Sequence, residues 1–140
     1  MNNTIEQLVR DSSAEWSRQP PAREETVQQL EAALPTLPAD YLAFLRLSNG
    51  GEGELGVEPG WFQLWPAEDV SSLNQNYAVP EFLPAYAGFG SDGGGELLAF
   101  TSSGEVVVVP FIPMDASEAR IIALSFRQLA ALFGRHARAI

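Results

Sequence analysis

Apolar positions along this chain follow a helical period at first and a strand period later. From Thr4 to about Trp16, Ile5, Leu8, Val9 and Trp16 recur near helical spacing, with Asn3 or Thr4 placed to cap the first turn. Gln19-Pro20-Pro21 then forces a linker, because proline lacks an N–H and restricts the residue before it. After Arg23-Glu24-Glu25-Thr26, the positions Val27, Leu30, Ala33 and Leu34 predict a second short helix, closed by Pro35 and Pro38. Leu37 to Leu47 predicts the best-patterned helix: Pro38 suits an early helical position, and Tyr41, Leu42, Phe44, Leu45 and Leu47 form a broad apolar face. Ser48-Asn49-Gly50-Gly51 ends it, with Asn49 and Gly50 as candidate caps.

The second half reads differently. Glu52 to Gly60 is acidic and glycine-rich and predicts an exposed loop. Gly60 to Trp65 predicts an aromatic strand, whose alternation puts Trp61 and Trp65 on one face and Phe62 on the other. Pro66 to Leu73 predicts a short helix opened by proline and acids, Asn74 to Pro80 a loop, and Leu83 to Phe89 a short strand. Two further strands follow, Glu96 to Thr101 and Glu105 to Ile112, joined through Ser102-Ser103-Gly104. The β-branched run Val106 to Val109 predicts a strand buried on both faces, hence the sheet centre. Pro113 to Ala119 is an acidic loop, Arg120 to Leu124 an edge strand, and Ser125 caps a last helix, Phe126 to Phe133, ended by Gly134.

Between the strands at Leu83 and Glu96 lies Phe89-Gly90-Ser91-Asp92-Gly93-Gly94-Gly95-Glu96. Three consecutive glycines can take positive φ, and Ser91 and Asp92 can bond nearby N–H groups, so this segment predicts a chain reversal. A phosphate cradle would feed a helix and usually carry a lysine; here a strand follows, and the chain has no lysine. Nor does the segment have the alternating oxygen ligands of an EF-hand calcium loop. The order of elements predicts an α+β fold with a mainly antiparallel twisted sheet, flanked by N-terminal helices and one C-terminal helix. At 140 residues with 46% hydrophobic content, the chain suits one domain.

Chemistry is narrowed mostly by what is scarce. No cysteine and a single His136 leave no thiolate site, no cysteine nucleophile and no room for a multi-histidine metal centre, so no metal or cofactor is expected. No run is apolar enough to span a membrane and the N-terminus lacks a secretory signal pattern, which predicts a cytoplasmic protein. Net charge is −10 and unevenly placed. Between Arg46 and Arg120 lie Glu52, Glu54, Glu58, Glu68, Asp69, Glu81, Asp92, Glu96, Glu105, Asp115 and Glu118 with no basic residue, whereas Arg120, Arg127, Arg135 and Arg138 crowd the end. Such a field disfavours nucleic acid and speeds encounter with a basic protein; its plainer meaning is solubility.

Taken together, these motifs resemble the SUKH superfamily, in particular its Smi/Knr-type domain. The matching pieces are Leu30-Glu31, Leu37-Pro38-Ala39-Asp40-Tyr41-Leu42-Ala43-Phe44-Leu45, Asn49-Gly50-Gly51, Leu64 to Val70, Phe89 to Glu96, Val106 to Pro110 and Ser125-Phe126. In order and spacing they cover about residues 24 to 134, with residues 1 to 23 as an N-terminal helix and linker to a single domain spanning 1–140. The resemblance implies an α+β fold and, for most bacterial members, an immunity protein that binds and neutralises a toxin of a polymorphic toxin system. Eukaryotic members of similar fold act as regulatory interaction modules, which is the alternative expectation. Phe100 departs from the pattern, since family members often carry Asp after the glycine-rich turn.

The expected function is therefore non-enzymatic binding of a basic toxin domain, for instance a nuclease. Glu52, Glu54, Glu58, Asp92 and Glu96 would offer carboxylates to Arg or Lys, with Trp61 and Trp65 as aromatic anchors. Each has a structural reading beside it: Asp92 capping its own turn, the tryptophans in the core, Asn49 as a helix cap. Pro38, Tyr41, Phe44, Asn49, Gly50, Gly90, Ser91, Gly93, Gly94 and Gly95 are expected to serve the fold. His136 is expected to be exposed and without a role. A hydrolase built on Asp92 and Glu96 is the rival from another class, and nothing selects that pair among eighteen acids.

Overall fold

The computed structural model describes residues 4–136. Seven strands form one sheet in the order β1 to β7, each antiparallel to its neighbours in sequence: β1 Trp16–Arg18, β2 Gly51–Glu54, β3 Trp61–Leu64, β4 Ala87–Ser91, β5 Glu96–Phe100, β6 Val106–Pro110 and β7 Arg120–Ala123. Six helices accompany them: α1 Ile5–Arg10, α2 Glu24–Ala33, α3 Ala39–Leu45, α4 Ala67–Asn76, α5 Val79–Phe82 and α6 Phe126–Ala130. The α+β fold with an antiparallel sheet and a C-terminal helix is thus as expected. None of the described helices is long and apolar enough to cross a membrane.

Two apolar clusters lie on opposite faces of the sheet. The larger joins Tyr41, Phe44 and Leu45 of α3, Phe126 and Leu129 of α6, and Phe62, Leu98, Phe100, Val106 and Val108 from the strands. Tyr41 touches Phe89, Phe100 and Phe126 at ring-centroid distances of 5.4, 5.2 and 5.4 Å. The smaller cluster holds Val79 and Leu83 against Leu97, Ala99, Val107 and Val109. Val106–Val109 is therefore buried on both faces, as its β-branched run predicts. It is not the sheet centre, however: β4 occupies the middle, and β6 lies one strand in from the β7 edge. Burial on both faces came from two helical layers, not from position in the sheet.

Other boundaries differ for definite reasons. The first helix stops at Arg10, because Asp11 accepts bonds from the Ser13 N–H and hydroxyl at 2.9 and 2.7 Å and turns the chain. Trp16 then opens β1 and packs against Phe44, Phe62 and Phe133. Arg18 closes that turn by donating to the carbonyls of Val9, Asp11 and Ala14, with its guanidinium 4.4 Å from the Trp16 ring centroid. The segment expected as loop from Asn74 to Pro80 continues α4 to Asn76, and Val79–Phe82 forms α5. Asn74 is buried because its amide serves the sheet: it accepts from Gly88 N–H and donates to the Gly88 carbonyl, each at 2.8 Å. The strand expected from Leu83 starts instead at Ala87, Leu83 being buried after α5. The last helix ends at Ala130, earlier than Phe133, and Ser125 caps it by accepting from Gln128 N–H at 3.1 Å.

The reversal at Asp92 to Gly95 is a β4–β5 connection, as expected. Asp92 Oδ1 accepts from the N–H groups of Gly94 and Glu96 at 2.8 and 3.1 Å, and Ser91 Oγ accepts from Gly93 N–H at 3.0 Å. Of its three successive glycines only Gly93 has positive φ, +80°. Gly90 is required for a different reason: a Cβ there would lie 2.5 Å from the carbonyl oxygen of Gln63 on β3.

Candidate functional site

The segment expected as an exposed acidic loop begins as strand β2, and this builds the site. Alternation puts Gly51 and Gly53 inward and Glu52 and Glu54 outward. Glycine is needed inside because the Trp16 ring lies across the strand; a Cβ on Gly53 would be 2.6 Å from Trp16 Cβ. Without apolar residues at the inner positions the strand carried no hydrophobic alternation, which is why it looked like a loop.

Register then gathers the outward side chains. Glu52 lies opposite Ser17 on β1 and Gln63 on β3, and Glu54 lies opposite Trp61. Ser17, Glu52, Trp61 and Gln63 are exposed and Glu54 is partly so, while Phe62 and Leu64 point into the core. Over β5 and β6 this face of the sheet is covered by Val79 and Leu83, whereas over β1 to β3 it meets solvent. The Glu52 carboxylate accepts from the Gln63 amide at 3.3 Å, and the Glu54 carboxylate lies 2.7 Å from His136 Nδ1. His136 is exposed, as expected.

Of the seven residues expected to meet a partner, Glu52, Glu54 and Trp61 share this face, and Trp61 is 39% exposed. The other four do not project with them. Glu58 and Glu96 both bind the Arg120 guanidinium, at 2.7 and 2.9 Å, and the Glu96 bond first of all holds Arg120 above its ordinary pKa. They tie the β2–β3 connection and β5 to β7. Asp92 caps its own turn. Trp65 is not an outward strand residue; it follows β3, packs against both clusters and stacks on Tyr77 at 6.0 Å.

One contributor was missed. Asn49 is a cap, but of α4 and not of the helix before it: its Oδ1 accepts from Ala67 N–H at 2.7 Å and its amide donates to Glu68 at 2.8 Å. That amide is the main reason the Glu68 carboxyl sits below the usual glutamate range. Sequence showed Glu68 only as an acid in a first helical turn. Its approach to the face depends on Asn49, nineteen residues earlier, whose backbone N–H is in turn held by the Pro20 carbonyl at 2.9 Å.

Two grooves flank Glu52. One of about 510 Å³ runs between the Pro20–Pro21 linker and the start of α4, with Glu52 and Glu68 among its walls. The other, of about 470 Å³, lies between Glu15 on one side and Trp61 and His136 on the other. Chemically, the face presents fixed carboxylates, neutral amides and an indole: a surface suited to cationic and aromatic protein groups. The profile of the SMI1 / KNR4 family (SUKH-1) matches residues 21–131 of the chain. No curated protein sequence matches it significantly.

Proposed function

The chain belongs to the SMI1/KNR4 family (SUKH-1), and on that premise we propose that it is a non-enzymatic immunity protein whose open β1–β3 face binds and neutralises a toxin domain of a bacterial polymorphic toxin system. The observation that carries the assignment of the face is the joint projection of Glu52, Glu54 and Trp61 from uncovered strands. A toxin whose own substrate is anionic, such as a nuclease, has a basic groove, opposite in sign to this acidic face. Complementary charge accelerates the encounter, and a partly exposed indole supplies the apolar anchor that charge alone lacks.

A binding role is also favoured by how the rival catalytic pair is engaged. Asp92 is spent on backbone N–H groups and Glu96 on Arg120.

The test is recovery of protein partners from the source cell and co-expression of a recovered toxin domain with this chain, followed by association kinetics on the purified pair. Wild type should restore growth. Replacing Glu52 and Glu54 together by Lys should slow association about tenfold or more at low ionic strength and flatten its salt dependence. Unchanged kinetics would move the interface off this face. Saturable substrate turnover that disappears in Asp92→Asn would overturn the non-enzymatic reading.

A further inference from the structure

Where β5 and β6 cross the sheet, one of its sides is thinly covered. Val79 of α5 and Leu83 directly after it close the smaller cluster over Leu97, Ala99, Val107 and Val109, and α5 is a single turn of four residues. A cap that short leaves apolar side chains at the rim in water: Phe82 is 54% exposed, Ile112 91% and Ile121, opposite Val107, 56%. Beside them Phe111 packs on the cluster, and the half-exposed Tyr77 lies against Phe111 at 4.6 Å. Single apolar residues scattered over a surface are ordinary, but these are gathered. Of the six large apolar side chains exposed among the described residues, these four border one cluster, and Trp61 lies on the same side of the sheet.

Register joins this patch to the acidic face. Glu52 lies opposite Gln63, Gln63 opposite Ser91, Ser91 opposite Leu97 and Leu97 opposite Val109, so one row of positions runs from β2 to β6 on the same side. Four strand spacings of about 4.8 Å put the ends of that row about 19 Å apart, within the breadth of one ordinary protein interface. Charge then says what fits. Glu81 precedes Phe82, and Asp115 and Glu118 follow Ile112; all three acids are exposed and in no ion pair among the described residues. No Lys or Arg occurs from residue 47 to 119. Arg120 is turned to the other side, opposite the buried Val108 and bound to Glu58 and Glu96. A second copy of the chain would set acidic rim against acidic rim at a net charge of −10 each. An apolar centre with a basic rim complements the patch in both respects.

We infer that the patch around α5 is a docking surface for the basic protein partner, covered by an apolar segment of that partner flanked by Lys or Arg. The inference rests on the protein-binding reading above and extends it: the acids of β2 speed the encounter, and Phe82, Ile112 and Ile121 hold the complex once formed. Desolvation of such side chains at the middle of an interface supplies affinity that rim charges do not.

The experiment uses the full chain, 15N-labelled, titrated with the blocked peptide acetyl-Lys-Leu-Phe-Leu-Lys-amide and followed by proton–nitrogen correlation spectra. The backbone N–H signals of Phe82, Ile112 and Ile121 should shift together and saturate in the millimolar range. Binding should weaken about fivefold or more in F82S/I112S, and about as much when glutamate replaces both lysines of the peptide. A peptide with serine at its three apolar positions should leave the three signals unmoved. If the double variant does not keep the native spectrum, I112S alone, at the most exposed of the positions, makes the same comparison. The docking surface is overturned if no shifts occur, if they are confined to Glu52 and Trp61, or if the variant or the glutamate peptide binds equally well. Sedimentation of the chain as a dimer that F82S/I112S dissociates would assign the patch to a second copy, and binding to phosphatidylcholine vesicles that the same variant abolishes would assign it to a lipid surface; either refutes the basic protein segment. A recovered toxin whose affinity falls in E52K/E54K but not in F82S/I112S would sink the patch and leave the immunity reading standing. A basic partner that is no toxin and is lost in F82S/I112S would do the reverse.

Discussion

Tyr41 is wholly buried, and its hydroxyl has no hydrogen-bond partner. Its ring is enclosed by Phe89, Phe100 and Phe126, none of which offers an acceptor. Burial accordingly pushes the Tyr41 phenol far above its usual pKa, keeping it neutral. A buried hydroxyl left unpaired costs about 1–3 kcal/mol, while removing it leaves a void of only one oxygen. Tyr41→Phe should therefore stabilise the protein by about 1 kcal/mol, the lower end of that range after the lost dispersion contacts are set against it. For a domain of this length that corresponds to a rise in Tm of about 3 °C. Urea denaturation should show a higher midpoint with an unchanged slope, since the surface exposed on unfolding is nearly the same. A loss of about 1 kcal/mol or more would refute the reasoning, because it would mean that the hydroxyl is satisfied and that its bond contributes to stability.

Other substitutions test the parts of the fold that hold the face in place. Asn74→Ala should cost about 3 kcal/mol in chemical denaturation, because it leaves both backbone groups of Gly88 without partners in a buried site. Gly90→Ala should destabilise strongly, its Cβ meeting the Gln63 carbonyl oxygen at 2.5 Å, while Gly95→Ala, with nothing within 4 Å, should fall within about 0.5 kcal/mol of wild type. Equal effects at the two glycines would contradict the register of β3 and β4. The carboxyls of Glu68 and Asp115 titrate below their ordinary values of 4.5 and 3.8, owing first to Asn49 and to the Ser117 N–H. A depressed folded-state pKa contributes stability that is fully present above the unfolded value and lost as pH falls through the folded one. Tm should thus decline below about pH 4.5, and Asn49→Ala should both lower Tm at neutral pH and shrink that acid-side decline; an unaltered acid profile would break the link between Asn49 and Glu68.

The parts of the fold visible in sequence were those where side-chain chemistry matched the period of the element. The valine run of β6, the patterned α3 and the Ser-Asp-Gly reversal each carried their own signal. β2 did not, because its inner positions are glycines filled from outside by Trp16, so hydrophobicity belonging to the strand is stored in a distant residue. Trp16 itself happened to fall at helical spacing from Val9, and the turn fixed by Asp11 and Ser13 outweighed that coincidence. Asn74 read as loop because a buried polar residue is intelligible only once Gly88 is beside it. At the candidate site, the concentration of acid was legible but its division was not. Arg120 withdraws Glu58 and Glu96 from across the sheet, and Asn49 brings Glu68 in.

The strand with glycine on its inner side and acid on its outer side separates two kinds of selection. Its inward positions are locked by the ring of Trp16, and almost any replacement there disturbs the core. Its outward positions touch little that folding depends on. A lineage can therefore rewrite residues 52 and 54 through successive viable intermediates, without first acquiring stabilising changes elsewhere. Under the proposed immunity function, this would mean freedom to drift in specificity while the scaffold stays still.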